Sequence, residues 1–353
     1  MSPQSACCRE ETSSRDQRLR FLRPTSPFLI GIYLSASVLF NGLYFQVTDR
    51  WSLRDFKAFT EPSGVYPGFG TLFRSRILMP TIARSLAHVL KVDLHWIFWG
   101  LSTLCVFAIL IAYRKYLLNF LCPVFSSIFA VALLFPMIWN YCLLNRIYYP
   151  FDMPSILFFV MGCHFIFQRK WWAYYPTLVL ASLNRETSCF LIGVFLLTLY
   201  KNMPTKRLLW HILVQAIMWI GLRGAIYSLV GADLGFVRKT WIGFNARILR
   251  DMFAFQGNGF RDWGKLLLIF GGTWLVIPWV YRRQPAFLKR CLLVVLPFVA
   301  VAGAKAVMDE VRNYGELIPV VLTPVLYAIA GELRESRAEP GQGADSHSGV
   351  PAE

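Results

Sequence analysis

The chain has 353 residues, of which 56% are hydrophobic and only 16% charged, and it carries a net charge of +16. A soluble domain has about a quarter charged residues, so the composition excludes an ordinary soluble globular protein and points to an all-α, polytopic bundle of membrane spans. Lys and Arg gather in the connections between apolar runs, as the positive-inside rule expects, which favours membrane lipids as partners and argues against nucleic acid.

Residues 1–25 form a polar, basic tail containing Arg9, Arg15, Arg18, Arg20 and Arg23. The apolar run after it is longer than a signal-peptide core and is followed by no small-residue cleavage site. It therefore reads as an uncleaved first span with a cytoplasmic N-terminus. A transmembrane domain over 26–333 follows, with candidate spans at 27–46, 94–113, 117–139, 152–168, 171–185, 187–200, 208–230, 264–281, 288–308 and 317–332. Residues 334–353 read as a disordered cytoplasmic tail.

Ten crossings put both termini on one side. The tails and short connections of that side hold 18 of the 36 Lys and Arg residues, against three (Arg146, Lys305 and Arg312) in the short connections opposite. Two long loops, 47–93 and 231–263, lie on the outer side. In the first, Pro80 suits the opening turn of a helix. Ile82, Leu86, Val89 and Leu90 share one face of it and Arg84, His88 and Lys91 the other, the pattern of a helix lying in the membrane interface. The second mixes Arg238, Lys239, Arg247, Arg250 and Arg261 with Trp241, Phe244, Phe253, Phe255 and Phe260, and reads as another interfacial segment.

Spans five and six are short, and they share a polar turn, Asn184-Arg-Glu-Thr-Ser188. Ionisable residues at membrane depth are costly unless paired or facing water, so this turn is expected to lie recessed into the outer leaflet, lining a cavity. The orientation places the other unusual polar residues on the same face: Asp49 just past span one; Arg74 and Arg76 in Phe73-Arg-Ser-Arg-Ile-Leu-Met-Pro80; Asn145 and Arg146 before Tyr148-Tyr-Pro-Phe-Asp-Met-Pro154; Arg223 near the outer end of span seven; and Asp309, Glu310, Arg312, Asn313, Tyr314 and Glu316 in the last outer turn.

Each has a plain structural reading beside the functional one. Asp152 is placed to cap span four. Arg185 and Glu186 can form an ion pair that only fixes their turn, and Arg223 can snorkel to the interface. The loop arginines can touch lipid headgroups, and Asp49 and Asp55 can be ordinary loop acids. Taken together, arginines at headgroup depth suit a phosphate, whose oxygens the guanidinium fork binds bidentately. A nearby carboxylate suits a general base acting on a hydroxyl. The eight cysteines are scattered without metal-ligand spacing and read as small hydrophobes. No nucleotide-binding or zinc motif occurs, so the sequence assigns no cofactor and no metal ligands, leaving a divalent ion open.

At Phe73–Pro80, Tyr149–Pro154 and Leu183-Asn-Arg-Glu-Thr-Ser188 the chain resembles a group of bacterial polytopic membrane proteins whose organisation is similar to the GT-C superfamily of membrane glycosyltransferases. That resemblance implies a GT-C-like bundle in the bacterial inner membrane and a polyprenyl-phosphate-linked sugar as donor. It implies a catalytic acid soon after span one, for which Asp49 matches and Asp55 is second. The adjacent acid pair of many GT-C members is absent. On this reading Arg76, Arg185 and Arg223 hold the donor phosphate, Glu186 orients Arg185, and Asp152 shapes the pocket. Arg74, Arg146, Asn184, Glu310 and Arg312 complete the substrate site. The alternatives are a transporter or flippase of a lipid-linked or anionic substrate, or a non-catalytic membrane subunit of an envelope polysaccharide system.

Overall fold

A computed structural model describes residues 26–48, 75–144, 147–229, 240–257 and 259–338; Asp49, Asp55, Arg74 and Arg146 lie outside them. Helices and short helical turns account for the regular structure, and no strand occurs among the described residues.

Apolar composition without breakers makes the long helices. α1 (Pro27–Val47), α3 (Leu94–Leu117) and α4 (Pro123–Leu143) run for 21, 24 and 21 residues. The amphipathic α2 (Leu78–Leu90) sits between the first two. At 1.5 Å per residue, helices of this length match a hydrocarbon core of about 30 Å. Three shorter ones follow: α5 (Asp152–Gln168), α6 (Trp171–Asn184) and α7 (Cys189–Leu199). Then come α8 (Thr205–Leu229), the outlying pair α9 (Ile242–Phe253) and α10 (Gly259–Leu267), short helical turns through Arg283, α11 (Ala286–Leu292), α12 (Val295–Lys305) and α13 (Ile318–Ala338).

Helices thus overlie every stretch expected to span, but among the described residues six segments are long and apolar enough to cross a membrane, or seven if the bent pair around residue 268 counts as one. These are the dimensions of an integral membrane protein. The eighth stretch is not one straight helix: the chain bends by 62° between Leu267 and Ile269. Phe270, Gly271 and Gly272 there have positive φ, and a Cβ on Gly271 would run into Phe135 and Trp139 of α4. Asn140, in a π-helical turn of α4, satisfies the break by accepting from the Phe270 N–H at 2.9 Å. α13 continues to Ala338, past Glu332, where the sequence predicts the last span to end.

The core lies among α1, α3, α5, α6 and α7 and the final helix. Buried tyrosines mark its two ends. Tyr33 donates to the Ser127 carbonyl at one end of α1 (2.9 Å), and Tyr44 to the Ile147 carbonyl at the other (3.2 Å). Leu209, Leu213, Ile217 and Ile220 of α8 face outward, as lipid-facing positions do.

α2 buries Met79, Pro80 and Ala83 while Ile82, Val89 and Leu90 stay exposed, so its apolar stripe is shared between the bundle and the surroundings. Asn245 clamps α9 onto the end of α12: its Nδ2 donates to the carbonyls of Gly303 (2.6 Å) and Ala306 (2.8 Å), and its Oδ1 accepts from the Met308 N–H (3.0 Å). Phe244, Phe253, Phe255 and Phe260 remain exposed on this pair.

Candidate functional site

Five segments meet at the end of the bundle marked by Tyr44: the loop 75–77 before α2, the residues 148–152 that open α5, the turn between α6 and α7, Arg223 of α8, and the 3₁₀ turn Val311–Leu317 with Glu310 before it. They bring together Arg76, Asp152, Asn184, Arg185, Glu186, Arg223, Glu310 and Arg312 from the sequence-predicted set. Each element end supplies what its local chain cannot bury elsewhere. The α6 helix stops because Arg185 is extended (φ −156°, ψ 147°), and that single extended residue sends successive side chains to different neighbours.

Asn184 turns back to α5, donating to the Phe151 carbonyl and to Ser155 Oγ, both at 2.9 Å. Arg185 reaches Asp152 (3.5 Å), Glu316 (3.8 Å) and Asn313 Oδ1 (2.9 Å). Glu186 takes two bonds from Arg76, Nη2 at 2.6 Å and Nε at 3.3 Å, and lies 3.7 Å from Arg223. Thr187 donates to Glu316 at 2.5 Å. The ion pair expected between Arg185 and Glu186 therefore does not form, and Glu186 does not orient Arg185: adjacent residues of an extended segment point apart, so each joins a separate chain of charges. One chain runs Arg76–Glu186–Arg223. The other runs Glu316–Arg185–Asp152–Arg312–Glu310.

Asp152 is fully buried and does not cap α5. Phe151 occupies the cap position without a side-chain bond, and the Asp152 carboxylate faces Arg185 and Arg312 (3.6 Å) instead. Arg223 does not snorkel outward. It is turned inward, donating to the carbonyls of Ser75 (3.0 Å) and Ser182 (3.2 Å), to Ser75 Oγ (3.1 Å) and to Tyr227 (3.0 Å).

Four guanidiniums, each with a side chain no more than 6% exposed, are thus matched by four carboxylates. Buried charge is tolerated only when paired in this way. Burial alone would push the Glu186 carboxyl up, but Arg76, bonded to it, and then Arg223 hold it down to about 2. The four acids fall into two kinds: Asp152 (0%) and Glu316 (3%) are sealed, whereas Glu186 (32%) and Glu310 (33%) reach the surface.

The role of two aromatic residues is visible only in the fold. Tyr149 and Phe151 stack on each other (centroids 5.2 Å apart). Arg312 lies over Tyr149 at 3.7 Å and Arg76 over Phe151 at 4.2 Å, so the run Tyr149-Pro-Phe151 seats two arginines by cation–π contact. Glu316, Asn313 and Ser75 complete the network. Their signal was a polar cluster in an apolar chain, legible for the 309–316 turn but not for Ser75. Gly315 is required where it stands, because Tyr141 Oη fills the space a Cβ would take.

The described residues contain no group of three or more His, Cys, Asp or Glu placed to hold a metal ion. No protein-family model, curated protein or solved structure matches the chain.

Proposed function

We propose that the chain is a GT-C-like integral membrane glycosyltransferase of the bacterial inner membrane. In this reading it crosses ten times with both termini cytoplasmic and takes a sugar from a polyprenyl-phosphate donor at the outer face. The observation that carries the reading is the convergence of five segments into one guanidinium–carboxylate network at a single end of the bundle, beside the end of α1. Thr48, the last described residue there, is buried and donates to the Tyr44 carbonyl, and Asp49 is the next residue in the chain.

Asp49 is the base in this reading, with Asp55 second. It accepts the proton of an acceptor hydroxyl whose oxygen bonds to the anomeric carbon, while the lipid phosphate leaves with the electrons of the broken C–O bond. Arg76 and Arg312, at the aromatic seats, hold the singly charged phosphodiester of the donor. Arg185 and Arg223, committed to internal partners, position the walls. Arg74 and Arg146 belong to the same proposed face.

Purified protein supplied with a polyprenyl-phosphate sugar and a hydroxyl acceptor should release polyprenyl phosphate, and Asp49→Asn should abolish release without lowering expression. Unimpaired release from that variant removes the proposed base. The equal numbers of arginines and carboxylates favour the second reading, a non-catalytic membrane subunit whose network is structural. A co-purified lipid-linked sugar identified by mass spectrometry supports the enzyme, and its absence together with an inactive wild type supports the subunit.

A further inference from the structure

The four arginines are not equally committed. Arg76 holds Glu186 with two bonds, Arg185 spans three acceptors, and Arg223 makes four hydrogen bonds. Arg312 makes one, from Nη2 to Glu310 Oε2 at 2.9 Å. Its Nη1 lies 3.6 Å from Asp152. Both Nη1 and Nε have no hydrogen-bond acceptor although Arg312 is 5% exposed. A guanidinium is charged at all accessible pH, and its fork is built for two oxygens at once. Glu310 meets it with one.

The same Glu310 oxygen accepts a second bond, from Asn313 Nδ2 at 3.1 Å. The orientation of that amide is fixed from behind, since Asn313 Oδ1 accepts from Arg185 Nη2 and an amide oxygen must face a cation that can only donate. The Asn313 NH₂ is therefore aimed at the same point as Arg312 Nη2, and Tyr149 holds the guanidinium flat beneath it. Two converging donors and a half-used fork make an oxyanion position. Its occupant, Glu310, has a side chain one-third exposed, so rotation about its own χ angles suffices to release it to water.

We propose that Arg312 and Asn313 form an oxyanion subsite for a singly charged phosphodiester, and that Glu310 is its displaceable occupant. One-for-one exchange of a carboxylate for a phosphodiester leaves the charge of the network unchanged. A doubly charged phosphate would add negative charge beside the sealed Asp152 and Glu316, in a medium where such charges interact strongly. The phosphodiester can belong to a lipid headgroup or to a free compound. The inference deepens the proposed function only in taking the anion to be a phosphate, and does not depend on catalysis.

The test uses full-length protein in a non-ionic maltoside detergent, titrated with dimethyl phosphate, short-chain phosphatidylglycerol or inorganic phosphate while tryptophan fluorescence and melting temperature are followed. Glu310→Gln should bind the phosphodiester about tenfold more tightly than wild type, a change of about 1.4 kcal/mol. Asn313→Asp should bind it at least tenfold more weakly, and inorganic phosphate should bind least. Tighter binding of both phosphodiesters assigns the subsite to the phosphate itself, and of phosphatidylglycerol alone to a lipid headgroup. Glu310→Gln protein that melts like wild type but binds no more tightly overturns the proposal, as does the absence of phosphodiester binding in every variant. Transfer activity persisting in either case leaves the glycosyltransferase reading intact and removes only the subsite.

Discussion

The two ends of the bundle solve the burial of arginine differently. At the end opposite Tyr44, cations meet neutral oxygens: Arg290 donates to the Thr198 carbonyl in the last turn of α7 (3.0 Å), Arg169 to the Asn202 carbonyl in the turn just beyond it (3.2 Å), and Arg114 to the hydroxyl Ser127 Oγ (2.9 Å). Its ion pair, Arg283 with Glu332, is exposed on both sides. The partial negative charge of a carbonyl or hydroxyl oxygen, reinforced at α7 by the C-terminal end of the helix dipole, is enough to place a cation there. At the Tyr44 end, arginines meet full carboxylates, and two of those, Asp152 and Glu316, are sealed from solvent. A bundle needs only the first arrangement to finish its helices. The second carries a large desolvation cost that packing alone does not require, which is why the candidate site is placed there.

The contrast can be broken most severely at its centre. Asp152→Ala leaves Arg185 and Arg312 facing each other's charge without their shared carboxylate, and should cost about 3–5 kcal/mol, read as a loss of folded protein in detergent or a large drop in melting temperature. Asp152→Asn should cost less.

Arg223→Met should come next. Removing its bonds to Ser75 and Ser182 strands buried acceptors at about 1–3 kcal/mol and should raise hydrogen exchange around residues 75–77 before it affects α8. A variant with unchanged exchange there would mean that Arg223 does not hold that loop.

The pH dependence sharpens the comparison further. Glu186 has a folded pKa near 2, below its ordinary value, so its pairing stabilises the protein above the ordinary glutamate range and is lost as pH falls from about 4.5 towards 2. Melting temperature should therefore fall across that window in wild type and fall less in Glu186→Gln; parallel curves would show that the Arg76 pair contributes nothing. The smallest effect belongs to the opposite end, where Arg283→Ala should change stability by less than about 1 kcal/mol because an exposed pair is worth little.

Much of this was legible in the sequence because hydrophobic length and breaker residues are local. The long apolar runs gave the helices, Pro80 the first turn of α2, and the Asn184–Ser188 interruption the break between α6 and α7. That Arg76, Asp152, Asn184, Arg185, Glu186, Arg223, Glu310 and Arg312 share one end is what counting spans leads one to expect. Their pairing did not follow from it. Arg185 and Glu186 are neighbours in the chain, yet an extended backbone at Arg185 sends them into separate charge chains. Tyr149 and Phe151 stood in the sequence only as part of a motif, and their stacking against Arg312 and Arg76 gives them a role. The bend at Phe270–Gly272 was hidden for a similar reason: two glycines in an apolar run do not specify a break until Phe135, Trp139 and Asn140 of another helix press against it.

The sequence by itself determined which segments are helical and apolar, because those follow from side-chain transfer and backbone propensity within a few residues. Which carboxylate neutralises which arginine was decided by the tertiary structure alone. Buried charges find partners wherever packing brings an opposite charge within about 4 Å, and here those partners come from segments more than a hundred residues apart, as Arg76 with Glu186 and Arg185 with Glu316.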